Sequence, residues 1–180
     1  TVIWRYITMG YDTEFSGSFQ LDKPLTATHK AYLEAFADSR RIKRHVADLE
    51  KYPDPLRVAV DLPLGIQGEY FVGTEEGVDG PSIADYNHPP SSQPGLNCQW
   101  IPNADGTAIE WDEGEKFCEY IEWLEYIIKN FLTPWGYVLN GKVSWYGEEN
   151  SDQGVIHVKN NKVQAIQAKI VQDEPDWEEE

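Results

Sequence analysis

Four cations, Arg40, Arg41, Lys43 and Arg44, stand within five positions of a chain whose formal net charge is −16. Guanidinium forks suit bidentate recognition of carboxylate or phosphate, so this cluster could hold an anionic group, a nucleotide phosphate among them. The blander reading is that the cations answer the dipole at a helix end or pair with the abundant acids. A second stretch, Asp85-Tyr86-Asn87-His88-Pro89-Pro90, leads through Gln93-Pro94-Gly95 to Cys98-Gln99-Trp100. It interleaves polar side chains with rings and prolines. Tyr86, Asn87, His88, Gln99 and Trp100 could shape a pocket, and Asp85 or His88 could act as a general base. The same residues also read as a surface loop pinned by Tyr86.

Two acidic groups offer a different chemistry. Glu115, Glu119, Glu122 and Glu125 recur at helical spacing, and Glu148, Glu149 and Asp152 follow a strand. Two acidic rows could imitate the charge of nucleic acid and dock a basic protein; alternatively they are solvated faces. Phosphate loops, dinucleotide fingerprints, GxSxG, HExxH and CxxC are all missing from the sequence. Cys98, Cys118 and His88 could supply three zinc ligands, but their spacing fits no zinc pattern. Glu148 to Gly154 does not match the register of an EF-hand loop. No metal and no cofactor is therefore expected, the two cysteines are expected to be reduced thiols in the core, and an enzyme is the less favoured class.

Acidity pervades the chain, with 31 acids against 15 bases. Such a field repels nucleic acid and anionic membranes, so the expected partner is a protein with a basic surface rather than nucleic acid. No apolar run is long enough to span a bilayer. The N-terminus lacks a signal-peptide pattern, which points to a cytoplasmic protein. Met9 is the only methionine, which suggests that residues 1–8 are an upstream or added extension. Residues 9–171 then form one domain, and 172–180 an acidic tail.

Tyr11 to Leu21 carries a strand signal with Phe15, Phe19 and Leu21 on one side. Gly17 on that side predicts a bulge or a close backbone approach. A first helix is expected from Ala27 to Ser39, capped by Thr26 or Thr28, with a continuation through Val46 and Leu49. The proline- and glycine-rich stretch from Pro53 to Gly95 reads as irregular, with short elements at Leu56–Val60 and Tyr70–Val72 and anchors at Tyr70, Phe71, Ile83 and Tyr86. Cys98–Ile101 and Ala108–Trp111 should pair across a turn containing Asp105-Gly106. Phe117, Tyr120, Ile121, Leu124, Ile127, Ile128 and Phe131 predict a second helix from Glu113 to Leu132. Asp112 and Glu115 would cap it, and Pro134 would stop it. Asn140-Gly141 reads as a tight hairpin turn between Tyr137–Leu139 and Lys142–Trp145. Asn160-Asn161 reads as another, between Val155–Lys159 and Lys162–Ile170. The expected fold is α+β: an antiparallel sheet built from hairpins, with two main helices packed on one face.

The segments MGYDTEFSGSF, LEAFADSRRIKR, DYNHPPSSQPGLNCQW, DGTAIEWDEGEKFCEYIEWLEYIIKNFL and NGKVSWYGEENSDQGVIHVKNNKV resemble a family of small proteins of phages, prophages and bacteria. The resemblance runs from Met9 to Val163. That family carries no assigned activity, so no catalytic residue is transferred. Its members often have a large aromatic where this chain has Asn97, and Gly where it has Glu113. The resemblance implies a mobile-element setting and raises host-interaction roles. The leading expectation is an acidic interaction protein that binds a basic, nucleic-acid-handling host or phage protein. The alternatives are a small-molecule or nucleotide binder with an arginine anion site, and a phage structural or assembly component.

Overall fold

The computed structural model describes residues 10–74, 80–169 and 171. Both the proposed start at Met9 and the 172–180 tail lie outside them. The longest alternating stretch, β1 (Thr13–Leu21), forms the middle of the sheet. It pairs along its whole length with β6 (Leu139–Gly147), from Thr13 opposite Gly147 to Leu21 opposite Leu139. Its other edge meets β5 (Ala108–Trp111) at Phe19 and Gln20. β4 (Trp100–Pro102) closes that side, and β7 (Gln153–Lys159) and β8 (Lys162–Gln167) extend the other. The order is β4-β5-β1-β6-β7-β8, antiparallel throughout. A two-stranded ribbon of β2 (Lys43–Arg44) and β3 (Ile83–Asp85) stands apart.

The α+β expectation holds, and so do several local readings. Gly17 takes φ +109°, and a Cβ there would lie 2.8 Å from the Lys142 carbonyl oxygen, so the close approach is real. Asn160 and Asn161 both have positive φ between Lys159 and its partner Lys162, which is the backbone of a tight hairpin turn. Ile156 and Val158 are buried, while His157 is half-exposed and Lys159 exposed.

Asn140-Gly141 is not a turn. β6 runs straight through it, with Gly141 held between Phe19 of β1 and Val158 of β7. A Cβ on Gly141 would sit 3.0 Å from the Ser18 carbonyl oxygen, so the glycine serves close strand contact. A dipeptide rule sees only local geometry and cannot register partners on both sides.

α1 (Ala27–Asp38) starts where Thr26 Oγ1 accepts the His29 backbone N–H at 3.2 Å. It ends at Ser39, and the chain turns extended before the short α2 (Val46–Leu49), so the predicted continuation is broken by β2. On α1, His29 stacks on Trp135 with centroids 4.0 Å apart, and its Nδ1 lies 2.8 Å from the Tyr137 hydroxyl. Burial lowers the His29 pKa from its ordinary 6.5. The unfolded chain therefore binds the proton more tightly. His29 contributes stability that is present above pH 6.5 and lost as pH falls through its folded value. Urea midpoints should drop between pH 7.5 and pH 6, and the drop should shrink in His29→Phe, which keeps a ring against Trp135 but cannot titrate. An equal drop in both proteins would exclude His29 as its source.

In the irregular stretch, the expected element at Leu56–Val60 is α3 (Pro55–Ala59). Tyr70–Val72 forms no regular element, but Phe71 is buried and Tyr70 packs on the core. Asp54, itself buried, ties the region together by accepting Arg57 Nε at 2.6 Å and the Val72 backbone N–H at 3.3 Å.

The second helix is shorter than its periodicity predicts. α4 covers only Tyr120–Ile127, followed by a π-helical turn over Ile128–Leu132. Glu113, Lys116 and Glu119 have φ of 64°, 55° and 56°, which a right-handed helix does not allow. Side chains take the backbone groups that a helix would use. Asp112 Oδ1 accepts the Gly114 N–H at 2.8 Å, Asp12 Oδ1 accepts the Lys116 N–H at 2.9 Å, and Gln99 Nε2 donates to the Glu115 carbonyl at 2.8 Å. The Asp112–Glu115 capping box is therefore not formed. Glu113 occupies a left-handed position that glycine adopts without strain.

The core lies between the sheet and helices α1 and α4. Phe131 sits at its centre, with ring centroids 5.0–5.9 Å from Tyr32, Phe36, Tyr70, Tyr126 and Trp135. A second ring cluster gathers Trp100, Trp111, Phe117 and Tyr120 around Phe15. Cys98 is buried, which pushes its thiol up to about 12, whereas Cys118, expected in the core as well, is exposed on the left-handed loop before α4.

Candidate functional site

The basic cluster does not converge. Arg41 is 3 % exposed and points inward, where Nη2 donates to the carbonyls of Glu69 at 2.7 Å and Phe71 at 2.8 Å. Its guanidinium lies 4.3 Å from the Phe36 ring centre, and burial pulls its pKa down from the ordinary 12.5. Arg40 instead covers the Tyr86 ring at 4.6 Å and donates from Nε to the Tyr86 carbonyl. Arg44 lies against Phe71 and donates to Ser82 Oγ at 2.8 Å. Lys43 pairs with Asp85 in the ribbon. Extended backbone after Ser39 carries these residues away from the α1 end, so they do not answer its dipole.

The second candidate set divides in two. Tyr86, Asn87 and His88 are exposed together beyond β3. Asp85 accepts the Asn87 backbone N–H at 2.9 Å and contacts His88 Nδ1 at 2.7 Å. The Asn87 bond, then His88, holds the Asp85 carboxyl below its ordinary value. Arg40 joins this loop through Tyr86. Gln99 and Trp100 lie elsewhere and are buried. Gln99 accepts Trp111 Nε1 at 3.0 Å, and Trp100 Nε1 donates to the Tyr120 carbonyl at 2.8 Å. Their polar groups are used inside the fold.

The acids come together in a way the sequence does not display. Asp152 accepts from Tyr11 Oη at 2.6 Å and from Trp145 Nε1 at 3.0 Å. Glu148 accepts the Asp12 backbone N–H at 2.9 Å, and Glu149 is exposed beside them. Across this end lies Tyr120, whose phenol is pushed up to about 12, first by burial and then by the charges of Asp152, Tyr11 and Glu122. Tyr120 packs against Trp145, the ring that donates to Asp152, with centroids 6.3 Å apart. Glu115 and Glu119 leave the helix face predicted for them, but both remain exposed. Glu119 Cγ would lie 3.9 Å from a Cβ on Gly95. The next turns of α4 present Glu122 and Glu125 to the same chain segment, across a cleft of about 380 Å³ shared with Ser91–Pro94.

Behind this cleft is a buried polar network. Tyr126 donates from its hydroxyl to Glu69 Oε1 at 2.8 Å, and Gln93 Nε2 donates to the Glu69 carbonyl at 2.7 Å and to Tyr126 Oη at 3.1 Å. Asn130 Nδ2 donates to the Tyr126 carbonyl at 3.0 Å, and Asn130 Oδ1 accepts from Tyr70 Oη at 3.0 Å. Burial, then the Glu69 charge, pushes the Tyr70 phenol up to about 12. Three buried side-chain atoms have no hydrogen-bond partner among the described residues: Arg41 Nε, Gln93 Oε1 and Trp123 Nε1. Gln93 belongs to the segment from Gln93 to Leu96, Trp123 reaches it with its side chain, and Arg41 touches it through its backbone. The Arg41 backbone N–H donates to the Leu96 carbonyl, and Trp123 Nε1 would lie 3.4 Å from a Cβ on Gly95.

No family model, curated protein or solved structure matches this chain.

Sequence reasoning missed Gln93, Tyr126, Glu69 and Asn130 as a set. Gln93 lay inside a stretch already singled out, but its role depends on Glu69 and Tyr126, which are remote in sequence. Among the described residues, no group of three or more His, Cys, Asp or Glu side chains could hold a metal ion, and no helix is long and apolar enough to cross a membrane.

Proposed function

We propose that this protein docks a basic protein through the acidic surface made by Glu119, Glu122 and Glu125 along α4 and by Glu148, Glu149 and Asp152 at the β6–β7 turn. The observation that carries this reading is that Glu119, Glu122, Glu125, Glu148 and Glu149 are all exposed, in a chain of net charge −16. Repulsion within such a cluster is relieved when a partner's cations enter it, and the field speeds encounter with a basic surface. The family resemblance supports a phage or prophage setting, in which a basic nucleic-acid-handling protein is a fitting target. An anion-binding role draws less support, because Arg41, Gln99 and Trp100 spend their polar groups inside the fold.

The test is capture from bacterial lysate at low salt, followed by a wash at roughly 0.5 M, where screening acts over a few ångströms. A protein held by charge should be released by salt. It should also be lost when Glu119, Glu122 and Glu125 are each replaced by Lys, since like charges placed opposite each other are strongly unfavourable. A partner retained at high salt, or bound equally by the charge-reversed chain, would overturn the proposal.

A further inference from the structure

β1 and β5 part before β5 ends. Their pairing holds Phe19 opposite Ile109 and Gln20 opposite Ala108, and Leu21 donates its backbone N–H to the Thr107 carbonyl at 2.9 Å. Hydrogen-bonded pairs recur at every second residue of an antiparallel ladder, so the next one would join Gly17 to Trp111. It does not form. Trp111 is paired on its other side with Trp100 of β4, and Phe15 and Gly17 on theirs with Trp145 and Val143 of β6. The rings of Phe15 and Trp111 meet edge to face, with centroids 5.3 Å apart, so packed rings back the gap.

Strand alternation decides what faces it. The backbone N–H and C=O of Phe19 and Leu21 point toward β5, and those of Phe15 and Gly17 therefore do the same, where no strand meets them. A cleft of about 410 Å³ lies at this place, lined by Phe15 and Gly17 on one side and by Glu110, Trp111, Asp112 and Glu113 on the other. Gly17 is exposed and has no side chain to obstruct another backbone. An unpaired run of strand is a template for one more extended chain. Charge selects which chain. No cation lines the cleft, and Glu110, Asp112 and Glu113 make no ion pair with a described residue. A basic segment complements this rim, whereas a second copy of a chain with net charge −16 is repelled by it.

We propose that the gap between β1 and β5 takes an extended basic segment of a partner protein, hydrogen-bonded to the backbone of Phe15 and Gly17, with its Lys or Arg side chains over Glu110, Asp112 and Glu113. The inference goes beyond the docking reading above: it concerns another surface and a different mode, strand addition rather than contact between charged faces.

The test uses the whole chain, labelled with ¹⁵N, and the peptide acetyl-Lys-Val-Lys-Val-Lys-amide at millimolar concentration. Saturable shifts are expected at the backbone amides of Phe15, Gly17 and Trp111, and hydrogen exchange at Phe15 and Gly17 should slow. The same peptide N-methylated on every residue keeps its charge but cannot donate to a strand, and should bind on the order of tenfold more weakly. The counterpart with Glu in place of Lys should not bind. Absent shifts at these three amides, or equal binding of the N-methylated peptide, would overturn the proposal. So would slow exchange at Phe15 and Gly17 in the peptide-free chain, whether a second copy or this chain itself covers them. The docking reading is judged separately: salt-released capture of a basic protein by a chain that ignores the peptide would leave docking intact and remove only this inference.

Discussion

Replacing Phe131 by Ala is expected to cost about 3–5 kcal/mol, enough to bring a domain of ordinary stability, about 5–15 kcal/mol, near its limit. The ring is fully buried and meets five others, each within 5.9 Å. Removal of a large side chain loses transfer energy and leaves a cavity whose walls relax only in part. These walls are rings from α1, α4, the irregular stretch and the chain after the π-helical turn, so no one element can collapse into the gap. Urea unfolding followed by tryptophan fluorescence should show a lower midpoint with little change in slope. Tyr146→Ala is the matched control. Tyr146 is 50 % exposed on the open sheet face, and its loss should stay within about 0.5 kcal/mol. Similar losses for both variants would show that the Phe131 cluster is not the centre of the core.

The second large effect is expected at Arg41. Arg41→Ala should lower stability by about 2–4 kcal/mol. Two opposing terms decide the sign. Loss of a buried charge relieves desolvation, which is the leading cause of its lowered pKa. Against this, the Phe71 carbonyl loses its donor, the Glu69 carbonyl keeps only Gln93, and the face of Phe36 is left uncovered. The alanine fills none of the vacated volume, so the losses prevail. Arg41→Lys should recover little, because one ammonium cannot reproduce the planar fork that spans two carbonyls. Arg41→Met should lie between Arg41→Ala and the parent, since it restores volume without the hydrogen bonds. Hydrogen exchange of the amides from Glu69 to Val72 should accelerate in Arg41→Ala before global unfolding. Unchanged stability would mean that the guanidinium is dispensable.

Much of the fold was legible in the sequence. The alternation of β1 and β7, the Thr26 cap, the β4–β5 hairpin and the Asn160-Asn161 turn are properties of short segments, where side-chain period and turn chemistry act over a few residues. The failures share a cause. Asn140-Gly141 carries a turn signal but lies under two neighbouring strands. Phe117 follows the helical period but reaches the core from a left-handed, tethered loop. In each case contacts from distant residues overrode a local preference.

The candidate site divides along the same line. Sequence alone determined that the chain is acidic, rich in rings and without a recognisable catalytic motif, because composition and motif need no partner in space. Only the tertiary structure decided that Arg41 faces the core, that Gln99 and Trp100 are consumed by packing, and that Glu122 and Glu125 line one cleft with Gln93. The direction of a side chain is set by the elements packed around it. The one unpaired oxygen of Gln93 exists only because Glu69 and Tyr126, 24 and 33 residues away, fix which way its amide turns.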